Sequence, residues 1–227
     1  MKIGIIGTGV VGKTLAAKLV VIGHEVIVGT RNINETLARK DKDMGGNPPF
    51  GEWQKQHPGV KLGTFEQAAK HGEVIISATS GSAALEPLRL AGAANLKGKV
   101  LMEVSNPLDF SKGMPPTLSI VNTDSLGEQI QRAFPEVMVV KTLNTTNALM
   151  MVNPRQVANG DHTLFICGND ASAKGKVTGY LKDWFGWKDI IDLGDISGAR
   201  GMEMILPIWL RLLGVLKTPA FNFKIVR

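Results

Sequence analysis

Apolar residues fall into short unbroken runs that alternate with longer stretches where they recur every three or four positions. Residues 2–6 form one such run, cut off at once by Gly7, which is the pattern of a buried strand. Residues 10–21 have helical spacing (Leu15, Leu19, then Ile22), and Gly23 closes the segment as a residue free to turn left-handed at a helix end. The same reading predicts strands at 25–29, 61–63, 73–77, 99–104, 137–143, 164–167 and 189–193. It predicts helices at 34–39 with Asn32 or Asn34 as cap, 65–70, 82–93, 171–185 and 199–216, and one capped by Ser125 that runs to Phe134. Thr64 followed by Gln67 resembles a capping box. Residues 41–60 break the rhythm: they hold Gly45, Gly46, Pro48, Pro49, Pro58 and Gly59 around a short helix at 51–56, and read as an excursion between the second helix and the third strand. Strands alternating with helices imply an α/β, doubly wound, mostly parallel sheet.

Composition narrows this little. At 227 residues the chain can bury a real core, and 44% hydrophobic with 20% charged residues excludes disorder. One cysteine excludes a disulfide scaffold and a thiolate zinc site, and four scattered histidines argue against a metal site. The net charge of +6 favours anionic partners, but the basic residues are dispersed, so no nucleic-acid patch is expected. No targeting segment is visible at the N-terminus. The most apolar stretch, 202–216, contains Glu203, Pro207 and Arg211 and falls short of the ~20 residues a membrane span needs. The expectation is a soluble, cytoplasmic protein without a membrane partner.

Gly7-Thr8-Gly9-Val10-Val11-Gly12 changes the picture. It follows a predicted strand and opens a predicted helix, the setting in which G-x-G-x-x-G carries meaning. The first glycine permits the turn, the second lets a pyrophosphate reach the backbone, and the third lets helix and strand pack. The helix start offers unpaired N–H groups to the phosphates. Where an NAD site places a carboxylate at the end of the second strand, this chain has Thr30-Arg31-Asn32. A guanidinium fork between a hydroxyl and an amide suits a 2′-phosphate, so the expected cofactor is NADP. The fold reads as Rossmann-type, with a dinucleotide-binding domain at 1–143. Residues 144–227 read as a small strand-helix extension that completes the acceptor site and supplies a dimer interface.

These motifs together resemble the F420-dependent NADP reductase family, and are similar to the NADPH domain of the STEAP metalloreductases. The resemblance continues through Ser77-Ala78-Thr79, Glu103-Val104-Ser105-Asn106-Pro107-Leu108, Val139-Val140-Lys141-Thr142-Leu143-Asn144-Thr145, Phe165-Ile166-Cys167-Gly168-Asn169-Asp170 and Asp192-Leu193-Gly194-Asp195-Ile196-Ser197 with Ala199-Arg200. It implies NADP in the crevice, touched by Thr79, Ser80, Ser105, Asn106 and Pro107 besides the glycine turn. It also implies a deazaflavin (F420) or flavin against the nicotinamide, with direct hydride transfer between them. Asn144, Thr145, Asn147 and Ala148, in the loop after the sixth strand, are the expected acceptor-positioning residues. No acid–base dyad is visible, in keeping with chemistry carried by the cofactors. The excursion at 41–59 and the tail at 217–227 are longer than in compact members of that family. The alternatives are an NADP-dependent imine or hydroxy-acid reductase and a non-enzymatic NADPH sensor. Cys167 reads as a buried small hydrophobe and Lys141 as a structural lysine. Trp209 with Leu206, Leu210 and Leu213 reads as a core or dimer-interface stripe, and the 199–216 helix, apolar on more than one face, points to a homodimer.

Overall fold

The computed structural model describes residues 1–43 and 46–227; Met44 and Gly45 of the predicted excursion lie outside the described residues. The strands are β1 (Lys2–Ile6), β2 (Glu25–Thr30), β3 (Lys61–Thr64), β4 (Val74–Ser77), β5 (Val100–Glu103), β6 (Leu108–Asp109), β7 (Thr117–Leu118), β8 (Met138–Thr142), β9 (Thr163–Gly168) and β10 (Asp189–Asp192). The α-helices are α1 (Val10–Val21), α2 (Ile33–Ala38), α3 (Phe50–Lys55), α4 (Phe65–His71), α5 (Leu85–Ala91), α6 (Ala93–Leu96), α7 (Leu126–Ala133), α8 (Ala148–Val152), α9 (Ala171–Tyr180), α10 (Ala199–Met204) and α11 (Leu206–Leu216).

Eight strands form one sheet in the order β10-β9-β8-β5-β4-β1-β2-β3, and β6 pairs with β7 as a separate hairpin. Every pairing within the large sheet is parallel except β8 with β9. Helices cover both faces, which is why β1 and β4 are apolar at consecutive positions rather than alternating. Ile3 and Ile5 pack with Leu15 and Leu19 of α1, while Ile6 packs on the other face with Phe65 and Ala68 of α4. The chain leaves β1 to build β2 on one side and later β4 on the other, so the strand order reverses at β1 and opens a crevice at its carboxyl end. Beyond residue 143, β9 and β10 extend this same sheet.

The local signals at helix starts hold. Thr64 and Gln67 form the reciprocal capping box, with N–H to oxygen distances of 2.8 and 3.1 Å. Asn32 caps α2, which starts at Ile33, and Ser125 caps α7. Two predicted helices are broken. The 82–93 segment is a 3₁₀ turn (Gly81–Ala83), then α5, then Gly92 at φ +87° before α6. The 199–216 segment splits into α10 and α11 at Ile205, because Pro207 has no N–H to continue the ladder. The β6–β7 hairpin and α8 were not foreseen. The later, described part of the excursion is tied down: Phe50 and Val60 join the core, and Lys13 Nζ donates to the Pro48 carbonyl at 2.6 Å. The tail runs back along β9, where Thr163 N–H donates to the Phe223 carbonyl at 2.9 Å. Among the described residues no helix is long and apolar enough to cross a membrane.

Candidate functional site

The glycine turn divides its labour in three. Gly7 sits at φ +125°, and a Cβ there would lie 2.5 Å from the Ala78 carbonyl oxygen. A Cβ on Gly12 would lie 2.1 Å from the Gly7 carbonyl oxygen, so Gly12 is a packing requirement between α1 and the turn. A Cβ on Gly9 would meet nothing within 4 Å. Gly9 is also the N-cap of α1 and supplies no side-chain cap, and the first turn carries no acidic residue. Open space in front of free helix N–H groups is the cradle that a phosphate needs.

Two cavities meet at this turn and share Ala78, Thr79 and Ser80. The outer one, about 250 Å³, is lined by Gly7, Thr8, Gly9, Thr30, Arg31 and also Arg39, which sequence reasoning missed. Thr30 Oγ1 is bonded to Thr36 Oγ1 at 2.7 Å, and Arg31 Nη2 donates to Glu86 Oε2 at 2.8 Å. The inner cavity, about 420 Å³, is lined by Val10 and Val11 from the start of α1 and by Ser105, Asn106, Asn144, Thr146, Asn147 and Ala148. The rest of its lining is apolar: Leu108 and Phe110 from the hairpin region, Met151 from α8, and Leu206, Trp209 and Leu210 from α11. Trp209 is thus a cavity wall and not simply core, with Phe221 of the tail tilted against it at 5.2 Å between ring centroids.

Four residues expected at the site do not line either cavity. Gly12 closes the turn. Asn32 spends its side chain on α2, accepting from Glu35 N–H at 3.2 Å and donating to Glu35 Oε1 at 2.9 Å. Pro107 is buried, and its carbonyl accepts from Ser119 N–H at 2.8 Å. Thr145 is 1% exposed. Asn147 does reach the cavity, although its Oδ1 caps α8 and its Nδ2 donates to the Pro219 carbonyl at 2.6 Å.

The cavity floor is a hydrogen-bonded network. Asn144 Nδ2 donates to Asn106 Oδ1 and to the Met202 carbonyl, both at 2.9 Å, and Asn106 Nδ2 donates to the Asn144 carbonyl at 2.8 Å. The turn that aims Asn144 places Leu143 at φ +61°, a strained conformation for a branched residue. Behind the floor lies Lys141, opposite Glu103 in the β5–β8 register and fully buried. Its Nζ donates to Glu103 Oε2, to the Ser105 carbonyl at 2.6 Å and to Glu203 Oε1 at 2.8 Å. Glu103 Oε1 accepts from Ser105 N–H at 2.7 Å. Burial alone would lower the Lys141 pKa, but the two carboxylates hold it above the ordinary lysine value. Burial pushes Glu103 above the usual carboxylate range, against the pull of Lys141. Lys141 is structural as expected; its partner Glu203, 62 residues away, was not foreseen.

Several polar atoms around the inner cavity lack partners: Thr79 Oγ1, Asn144 Oδ1, Thr146 Oγ1 and Trp209 Nε1. Buried polar groups are normally paired, and these four belong to residues that line the cavity, although the atoms themselves are buried and others, Ser77 Oγ, His24 Nε2 and Asn222 Oδ1, are unpaired elsewhere. With the open cradle at Gly9, this fits a nicotinamide nucleotide laid from the outer cavity into the inner one. The described residues lining the inner cavity include no Asp, Glu, His, Lys, Arg, Cys or Tyr. Cys167 lies apart, fully buried, with its thiol pushed up to about 12 by desolvation. No group of residues suited to hold a metal ion occurs among the described residues.

Residues 2–107 match the family model described as "NADP oxidoreductase coenzyme F420-dependent". A crystal structure of a candidate F420-dependent NADP-reductase from Arthrobacter sp. FB24 is 55% identical, with a TM-score of 0.94 and 100% of both chains covered. The F420-dependent NADP reductase of Methanothermobacter marburgensis is 26% identical over 93% of this chain and 92% of that protein. The metalloreductase STEAP3 of Rattus norvegicus is 30% identical over 92% of this chain, which spans only 38% of that protein.

Proposed function

The chain belongs to the F420-dependent NADP oxidoreductase family; from that premise we propose that it is an NADP-dependent oxidoreductase that passes hydride between NADPH and a deazaflavin or flavin ring held in the inner cavity. The observation that carries the reading is the lining of that cavity: apolar, amide and hydroxyl side chains, with no acid or base among its described residues. A carbonyl accepts hydride with a proton delivered to its oxygen, and no acid lines this cavity among the described residues to deliver one. A flavin-type ring takes hydride at one atom and settles its proton at another that can face water, so the protein need only position the two rings. NADPH supplies the hydride; Gly9 and the α1 amides hold its pyrophosphate, Arg31 and Arg39 face its 2′-phosphate, and the Asn144–Ala148 loop shapes the space for the rings.

The segments that shape the acceptor half all follow Pro107: Leu108 and Phe110, the Asn144–Ala148 loop, and α11. Acceptor choice therefore rests on the second half of the chain. The test is NADPH oxidation against F420, FMN, FAD, a ferric chelate and a cyclic imine. Turnover with F420 or a flavin, with deuterium moving from C4-labelled NADPH to the ring, is expected. Turnover of the imine with none of the deazaflavin or flavins would overturn the reading in favour of an imine reductase.

A further inference from the structure

We infer that the buried Lys141–Glu103–Glu203 cluster biases the bound nucleotide toward its oxidised form, by holding one uncompensated negative charge behind the inner cavity. The inference rests on the proposed seat of the nicotinamide in that cavity. One cation and two carboxylates leave a net charge of −1. Every contact the carboxylates make is one they accept: Glu103 from Ser105 N–H and Lys141, and Glu203 from Lys141, Leu126 N–H at 2.9 Å and Gly127 N–H at 3.2 Å. None of these partners is an acceptor for a proton on either carboxylate, so the contacts are those of one cation held between two carboxylates. Neighbouring charges pair with one another, Arg200 with Glu128, Arg132 with Asp124 and Lys174 with Asp192, and Asp195, beside Arg200 and Lys174, adds no positive charge. The amides at the start of α7 offset about half a charge and leave the sign unchanged.

The cluster is directly behind the cavity wall. Ser105, which lines the cavity, has both its N–H and its carbonyl held by the cluster. Asn144, also on the wall, donates to the carbonyl of Met202, the residue before Glu203. The nicotinamide ring is cationic when oxidised and neutral when reduced. A negative charge behind it stabilises NADP⁺ over NADPH and so favours giving hydride to the acceptor. Over the ~10 Å spanned by one layer of side chains, at an effective dielectric constant of about 20 to 40, one unit charge shifts such an equilibrium roughly five- to fifteenfold.

Glu103 and Glu203 are positioning residues, and the test reads binding in the full chain, with dissociation constants for NADP⁺ and NADPH measured by calorimetry. Glu203→Gln and Glu103→Gln are each expected to raise the ratio Kd(NADP⁺)/Kd(NADPH) about five- to fifteenfold. A triple variant, Lys141→Met with Glu103→Leu and Glu203→Gln, removes every charge of the cluster into an apolar background and should raise the ratio equally, which keeps the test open where a single Gln variant fails to fold. A loss of packing alone would weaken both nucleotides together and leave the ratio unmoved, and an unchanged ratio in a folded charge-neutralised variant overturns the inference. Failure of the unmodified protein to bind either nucleotide overturns the proposed function, and this inference with it.

Discussion

Removing the Arg31 guanidinium is expected to weaken NADPH by about 5- to 70-fold and to leave NADH nearly unchanged. A charge-assisted contact to the 2′-phosphate contributes about 1.5–3 kcal/mol. Arg31 is not free to make it at no cost, because its side chain is 63% exposed and already pairs with Glu86 at 2.8 Å. An exposed pair of this kind is worth about 0.5 kcal/mol, so the net contribution is about 1–2.5 kcal/mol, which gives the range above. The same arithmetic predicts the opposite sign for the partner. Glu86→Gln frees the guanidinium and removes a carboxylate beside a dianion, so NADPH should bind about two- to fivefold tighter. Isothermal titration of both nucleotides against the two variants provides the measurement. Equal losses for NADPH and NADH in Arg31→Ala, or weaker NADPH binding in Glu86→Gln, would refute the reasoning.

Gly9→Val should fold normally, since its Cβ meets nothing within 4 Å, and yet lose nucleotide binding; a folded variant with near-normal NADPH affinity would move the pyrophosphate elsewhere. Ala148→Trp should cut acceptor turnover about 100-fold while the NADPH dissociation constant stays within a few-fold, as expected of a positioning defect of ~1 Å or more; unchanged turnover would place the acceptor elsewhere. Asp124 is held down to about 2, from 3.8, chiefly by its hydrogen bonds from Arg132. A depressed folded-state value stabilises the fold above the unfolded pKa and is lost as pH falls from about 4 toward 2. Asp124→Asn should therefore flatten that acid limb in denaturant titrations, and parallel limbs would argue against it. Helix α11 leaves Ile208 54% and Val215 76% exposed, which favours a homodimer burying this face; sedimentation at micromolar concentration should give the dimer mass, and a monomer would count against it.

What could be read from sequence follows the range of the interactions involved. The glycine turn, the Thr64 and Ser125 caps and the apolar strands are each set within a few residues, and each stands where the pattern put it. Helix α8 is only five residues long, too short for a periodic signal, and depends on Asn147 as cap and on Trp187, whose indole N–H donates to the Met151 carbonyl at 3.0 Å. The break before α11 was signalled by Pro207 but was overridden by the surrounding apolar run. Arg39 joins the outer cavity because α2 ends there and turns it back beside Arg31, a geometry no spacing rule encodes. Asn32, a plausible phosphate ligand by position, is instead consumed as a cap, an equally strong preference of asparagine.

The same distinction separates the two halves of the site. The nucleotide half is made by one turn and the strand beside it, so its chemistry is fixed wherever that turn recurs. The proposed acceptor half is assembled from segments far apart in the chain: Asn106 meets Asn144, Asn144 meets Met202, and α11 brings Trp209 to the cavity lining, where Phe221 packs against it. Each of those contacts can drift without disturbing the glycine turn. On the proposed reading, a change in the hairpin, in α11 or in the tail is expected to alter which acceptor fits and to leave NADP recognition intact. That separability lets one nucleotide module serve different acceptors, and it explains why the cofactor can be read from a dozen residues near the N-terminus while the acceptor must be argued from the shape and chemistry of a wall.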